Sequence, residues 1–595
     1  MLINKISSRK RKKAASLKCI TNKNGEKLNK PTSIANCLNE HLSSVGKNMA
    51  SEIENIVDPK SLKNPLDYLP RTVKNSLFFC DIDFAEILNL IAKLVTKKAC
   101  GYDHISNRIL KKTSYIIAPY LCILFNNCIR QGVFPDAYKI AKVIPLFKKG
   151  GDKESKDSYR PISLLPALGK LLEKLISVRV VHFFEAYDLF SPHQFGFRAK
   201  FSTDYAIVDI YEKLLSNLDK GLSTCAVFLD LAKAFDSVSH DILLQKLKRY
   251  GIRGNTFDFF QSYLSARTQF VKINNVESSL MNIEFGVPQG SILGPLLFLI
   301  YINDLPEATN FFIRLFADDT FLCSQNNDIV LLENKVNLEL HKVFIWLASN
   351  KLTLNIKKSK FMFFSNKKKI DHVLSIKINE KNLERCEKYK YLGVLFDQNL
   401  TWQPHVEYIH GKISKACGAL SKIRHCVDIE FLKSVYYALV HSYLRYGIVA
   451  WGNASESVLR PLKSLLNRIV RIITFAPFRI DTEPIFKYLK FLNISQIFLF
   501  ETGKFVYKSR TGLLPINNIA EHFVRAHASH QYNLRTSNQR LLVTPLVLLS
   551  SLKKKSLHIR GIDMWNKFPE LLKLSESMNI FKRGLKLYLL EDQND

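Results

Sequence analysis

Hydrophobic positions recur at helical spacing through Phe84–Leu94, from Tyr115 to Gln131 and from about Gly169 to Asp188. Short apolar runs at Ala141–Phe147 and Ala226–Asp230 read instead as strands. In Ile313–Cys323 two adjacent carboxylates sit between two runs rich in β-formers, which predicts a hairpin with Asp318 and Asp319 at its tip. Leu296–Ile302 is apolar throughout and follows a Gly- and Pro-rich turn, while Leu332–Ala348 is amphipathic. Residues 370–400 read as short strands, His405 to about Phe475 as basic helices, and 476–595 as further helices. The first 75 residues are polar and basic, with one short amphipathic helix around Ile34–Ile53 and a linker-like stretch at Asp58–Leu66.

Composition narrows the function. At 595 residues the chain is too long for one hydrophobic core, and 47% hydrophobic content lets most of it bury one. Lys and Arg number 86 against 53 Asp and Glu, a formal charge of +33 that favours a polyanionic partner, nucleic acid above all. Eleven cysteines are scattered without C-x-x-C, none beyond Cys426, which argues against a zinc module or a disulfide framework and for a reducing compartment. No apolar run reaches the roughly 18 residues of a membrane span, and the N-terminus lacks a signal-peptide layout. The basic run Arg9–Lys13 suits nuclear import, a phosphate-binding arm, or simply solvent.

Candidate chemistry gathers around three carboxylates. Asp230 ends a short apolar strand, and if it faces Asp318 the pair is costly to bury unless cations lie between them. Hard oxygen ligands from two strand ends describe a Mg2+ site that keeps waters and takes its remaining ligands from substrate phosphates. Two such ions about 4 Å apart clamp the attacking and leaving oxygens of an in-line nucleotidyl transfer. The turn Lys148–Lys153 followed by Arg160 could grip a triphosphate or be an ordinary basic hairpin loop. Gly286–Pro295 offers a small, rigid ledge for a base, or a plain turn. His193–Arg198 interleaves aromatics, Gly and Arg, which suits a nucleic-acid surface or a core turn.

The segments Phe228–Asp236, Gly286–Pro295 and Phe316–Asp319 resemble, in order, motifs A, B and C of reverse transcriptases of non-LTR, jockey-like retrotransposons. The resemblance extends through Gly101–Asp103, Tyr159–Ser163, Gln194–Arg198, Trp346–Lys360 and Tyr389–Val394, covering roughly residues 80–475. It implies Asp230 and Asp318 as metal ligands with the Leu231 carbonyl assisting, and Asp319 beside the primer terminus. It implies Phe235 as the steric gate against a ribose 2′-OH, Gln289 and Gly290 lining the nascent base pair, and Lys148 and Arg160 holding the triphosphate. Lys358, with Lys360 as its rival, matches the motif D lysine; Tyr391 and Gly393 match the primer grip, and Gln194, Gly196 and Arg198 a template–primer contact.

The fold class so implied is α+β: a right-hand polymerase with fingers at 76–220, a palm with an antiparallel sheet at 221–375 and a primer grip and helical thumb at 376–475. A basic N-terminal linker (1–75) and a helical C-terminal extension (476–595), a candidate RNA binder or stabilising cap, flank these. The implied partners are an RNA template, a DNA primer or target and dNTPs, with two Mg2+ ions (Mn2+ an acceptable substitute) and a cytoplasmic and nuclear location. No endonuclease domain is expected, since residues 1–75 resemble the segment that follows one and no thiolates lie beyond Cys426. The competing readings are a group II intron-type protein and a catalytically decayed RNA-binding remnant. Oligomeric state has no signature in the sequence.

Overall fold

The computed structural model describes residues 17, 19–69, 72–148, 150–367, 372–514, 523, 542 and 556–591; Arg9–Lys13, Lys149 and most of the basic stretch 525–555 lie outside them. It is a mixed helix-and-sheet protein with mainly antiparallel strand pairs, in keeping with the α+β expectation. The chain divides into two compact units, each assembled from separated segments. One comprises Met1–Phe197, Asp230–Phe311 and Leu338–Ile356; the other comprises Arg198–Leu229, Phe312–Asn337 and Lys357–Asp595.

In the first unit, helix α1 (Pro31–Ile56) begins with Pro at its first position, where the missing N–H costs nothing. Its buried Ile34, Ala35 and Leu38 share a core with Ala141 and Val143 of strand β1 (Ile140–Phe147) and with Val271. Residues 31–56 are therefore not linker: an apolar face closes that core, and the helix runs three residues beyond the predicted span at each end. Strand β1 pairs antiparallel with β2 (Tyr159–Leu164), placing Pro145 opposite Pro161, and parallel with the strand Arg267–Ile273. Helix α2 (Ala167–Ala186) buries Leu172, Ile176 and Val180 along one face. Helix α3 (Leu293–Ile302) is apolar all round because it is buried all round. Below it Lys246 and Asp304, both fully buried, pair at 2.6 Å, and the same ammonium donates to the Tyr301 carbonyl at 2.7 Å.

The second unit is built on a five-stranded sheet whose centre is β3 (Ser223–Asp230), buried along its length except at its terminal residue. Beside it lies the hairpin of β4 (Phe312–Phe316) and β5 (Asp319–Asn326), β5 being the neighbour of β3. On the other side β6 (Lys360–Phe364) runs antiparallel to β3 and is edged by β7 (Glu384–Arg385). Arg314 of β4 makes a buried ion pair with Asp209 of the helix Thr203–Asp219. A two-stranded ribbon of β8 (Lys388–Tyr391) and β9 (Val394–Asp397) leads to helices α4 (Gln403–Ile423) and α5 (Glu456–Thr474). Helices α6 (Ile494–Arg510), α7 (Leu557–Lys567) and α8 (Met578–Glu591) complete the unit, Tyr507 stacking on Phe581 at 4.4 Å between ring centroids.

Candidate active site

The β4–β5 hairpin pairs Phe316 with Asp319, leaving Ala317 and Asp318 as its two-residue turn. Ala317 takes the left-handed conformation (φ 55°), which turns the chain tightly enough to set both carboxylates at the tip. Asp318 is half-buried and Asp319 exposed, with the strands behind them buried. Strand β3 is hydrogen-bonded beside β5 and ends at Asp230, so the predicted hairpin and the predicted strand do belong to one sheet.

Just past Asp230 the backbone makes a local bridge: the Asn355 N–H donates to the Asp230 carbonyl at 2.8 Å, and the Ala232 N–H donates to the Thr353 carbonyl at 2.8 Å. That pattern turns the Leu231 carbonyl to the opposite side from the bridge. Carboxylate and backbone carbonyl oxygens are the hard donors that suit Mg2+, which binds few protein ligands and takes the rest from water and phosphate. Among the described residues no cluster of three or more His, Cys, Asp or Glu side chains forms a closed metal cage.

The first unit gathers the predicted nucleotide-binding residues by direct contacts. Phe235 sits in the 3-10 turn Ala234–Asp236 with its ring stacked on Phe298 at 4.6 Å. The Val287 N–H donates to the Phe235 carbonyl at 2.8 Å, and Gln289 Nε2 donates to Asp236 Oδ1 at 2.9 Å. Gly290 (φ 137°) crosses β2 so closely that an added Cβ would come within 2.4 Å of the Ser163 carbonyl. The Ser163 N–H donates to the Gln289 carbonyl at 2.9 Å, so the ledge is bolted to the strand carrying exposed Arg160. Lys148 opens the adjoining turn, its Nζ donating to the Asp157 carbonyl at 2.8 Å. Gln194 is buried and accepts the Gly196 N–H at 2.8 Å, so it shapes its own turn, while Phe197 beside it is exposed with φ 54°.

In the second unit Lys358 is exposed ahead of β6, whereas Lys360 within that strand is salt-bridged to Glu384 of β7. The Arg198 guanidinium lies 4.3 Å over the Phe201 ring. Tyr391 departs from the primer-contact expectation as far as its side chain goes: it is 3% exposed and its ring packs among Phe228 and Phe321 beneath the hairpin. Burial pushes its phenol well above the ordinary range. Gly393 (φ 84°) follows Leu392 (φ 44°) in the tight turn between β8 and β9, and the Tyr446 hydroxyl donates to the Leu392 carbonyl at 2.6 Å.

Two groups escaped the sequence reading. Glu173 of α2 is buried and accepts the Ile292 and Leu293 N–H groups at 2.5 and 3.2 Å, capping α3 directly behind the Gly286–Gly290 ledge. Its signal was a lone acid on the apolar face of Gly169, Leu172, Ile176 and Val180. Asp236 is the other: burial pushes its carboxyl up to about 6, with the Gln289 amide pulling it back down.

Comparison with known proteins gives this geometry a context. Residues 147–396 match the family model described as reverse transcriptase (RNA-dependent DNA polymerase). The chain is 30% identical over 444 residues to the RNA-directed DNA polymerase from mobile element jockey of Drosophila melanogaster, covering 73% of this chain and 48% of that protein. It is 31% identical over 416 residues to the polymerase of the same name from Drosophila funebris, covering 68% and 45%. It is 29% identical over 437 residues to the probable RNA-directed DNA polymerase from transposon X-element of Drosophila melanogaster, covering 72% and 48%. The chain thus spans about half the length of the curated relatives it matches.

Proposed function

The chain carries a domain of the reverse transcriptase family, similar to those of jockey-like non-LTR elements, and from that premise we propose that it is an RNA-directed DNA polymerase. It adds dNTPs to the 3′-OH of a DNA primer on an RNA template. The observation that carries this reading is the Asp318–Asp319 hairpin beside the strand that ends in Asp230. We assign fingers, palm and thumb to residues 76–220, 221–375 and 376–475 on the same resemblance.

Asp230, Asp318 and the Leu231 carbonyl would hold two divalent cations, Mg2+ or Mn2+, which when bound supply charge neutralisation and activation of the 3′-oxygen. The chain's own groups do the rest. Lys148 and Arg160 place cations where the triphosphate lies, the guanidinium offering a fork to two oxygens. The Phe235 ring, braced by Phe298, crowds a ribose 2′-OH. Gln289 and Gly290 present a flat ledge to the base pair. Lys358, with Lys360 as its rival, would protonate pyrophosphate as the motif D lysine; Lys360 is salt-bridged to Glu384. Since the Tyr391 ring is buried, the primer contact of its motif comes from the Leu392–Gly393 turn.

The test is dNTP incorporation on a primed RNA with Mg2+, wild type against Asp318→Ala. Wild-type synthesis lost in a variant that still binds RNA is the expected outcome. A folded, RNA-binding wild type that incorporates nothing would overturn the polymerase reading in favour of a decayed remnant.

A further inference from the structure

Two neighbours of the gate loop Lys233–Ser237 belong to the site already described: the Gly286–Gln289 ledge, through the Phe235 carbonyl and the Asp236 carboxylate, and Phe298, under the Phe235 ring. Another neighbour is one face of α1, a helix from outside the region that matches the family model. His41, Gly46 and Met49 fall on that face at roughly helical spacing. Lys233, in the left-handed conformation (φ 48°), donates to His41 Nε2 at 3.2 Å and to Asp157 Oδ1 at 2.9 Å. Burial and the neighbouring Lys233 ammonium push the His41 imidazole down to about 4, so at neutral pH it is uncharged and accepts that bond. The Ser237 hydroxyl lies 3.6 Å from Met49 Sδ.

Gly46 is the tightest of these contacts. A Cβ there would come within 2.2 Å of the Asp236 carbonyl oxygen and 2.6 Å of Phe285 Cβ. The first is backbone and cannot swing aside, so helix and gate loop are in contact with no slack. The helix is itself held on both sides of this point. Ile34, Ala35 and Leu38 are buried with β1, Asn39 donates to the Ser279 carbonyl at 2.8 Å, and Lys47 pairs with Glu284 at 2.9 Å.

Resting on the polymerase reading above, we propose that α1 is the backstop of the steric gate, and that the contact of Gly46 with the Asp236 backbone sets the depth of the Phe235 ring and hence the discrimination between deoxyribo- and ribonucleotides. Gly46 and Met49 are positioning residues: they touch the gate loop and not the nucleotide. A sugar gate works by excluding one hydroxyl, a margin comparable to a methyl group. Small displacements of the ring therefore translate into large selectivity changes.

The experiment measures kcat/KM for a dNTP and for the rNTP of the same base on a primed RNA template, using the full chain. Gly46→Ala inserts a methyl group into the contact, and Met49→Ala removes support from Ser237; Phe235→Ala sets the scale of a lost gate, and Asn48→Ala, on the exposed side of α1, is the control. The expected result is a fall of roughly tenfold in the dNTP/rNTP ratio for Gly46→Ala and for Met49→Ala, with the Asn48→Ala ratio unchanged. Destabilisation alone lowers both substrates together and leaves the ratio alone, so a soluble Met49→Ala decides the matter even where Gly46→Ala fails to fold. An active wild type whose ratio survives in the folded variants overturns the backstop and leaves the polymerase reading standing. A wild type that incorporates no nucleotide at all overturns both.

Discussion

Asp236 shows how one side chain can serve a site at a cost to the fold. Its carboxyl accepts from Gln289 across 53 positions of sequence, while burial lifts it from 3.8 to about 6. An acid whose folded-state value is raised favours folding when protonated: that contribution is complete below about 4 and is lost as pH climbs through 6. Asp236→Asn, which keeps an oxygen for the Gln289 amide, is expected to stabilise the chain at pH 8 by on the order of 2 kcal/mol. At pH 4.5 it should give far less, which denaturant unfolding at the two pH values would show. An equal gain at both would mean that the carboxylate is not strained. The hairpin that carries Asp318 and Asp319 and the strand that ends at Asp230 were legible because short apolar runs bounded by carboxylates mark them in the sequence. Asp236 and Glu173 were opaque because what matters about them is a partner more than 50 residues away.

Among elements, those with a strong local period were legible, as the hairpin, the all-apolar α3 and the amphipathic helices show. The order β7-β6-β3-β5-β4 was not, because it depends on crossovers that leave no mark on periodicity. Helix α1 was seen but undervalued: the burial of Ile34 and Leu38 is decided by strands more than 100 residues later. Helix α3 offers a direct test of how one element holds another. Its first N–H groups are satisfied by Glu173, so Glu173→Ala leaves two buried donors without their acceptor and should cost roughly 2–4 kcal/mol. Because the ledge of Gln289 and Gly290 leads into that helix, KM for dNTP should rise as well, while Glu173→Gln, which keeps one acceptor oxygen, recovers most of both. Unfolding curves and steady-state kinetics on the two variants would check this, and a Glu173→Ala protein with wild-type KM would uncouple the cap from the ledge.

For the whole molecule, composition pointed to a basic protein whose scattered cysteines build no disulfide framework. All eleven cysteines are unpaired thiols, and no helix among the described residues is long and apolar enough to cross a membrane. Less legible was the place of the C-terminal helices. Buried Glu212, on the helix Thr203–Asp219, accepts the Ser556 hydroxyl at 2.5 Å and the Leu557 N–H at 2.6 Å. Gln496 Nε2 likewise donates to the Leu589 carbonyl at 2.5 Å. A chain truncated after Phe475 loses those partners along with the stacked Tyr507 and Phe581. It is expected to aggregate or melt well below the full chain, as thermal unfolding would show; a truncated protein of undiminished stability would mark 476–595 as a separable module.

The interleaving of the two units has a consequence for how the protein is made. The first unit is not complete until Ile356 has been synthesised, by which point Arg198–Leu229 and Phe312–Asn337 of the second have already been made. Those two segments supply β3 and the β4–β5 hairpin, and β6, the other neighbour of β3, follows only at Lys360–Phe364. For a ribosome adding about 5–20 residues per second, apolar strands therefore wait many seconds without their neighbours. Biosynthesis in this order invites chaperones to hold the nascent sheet until the last segments of both units have been made.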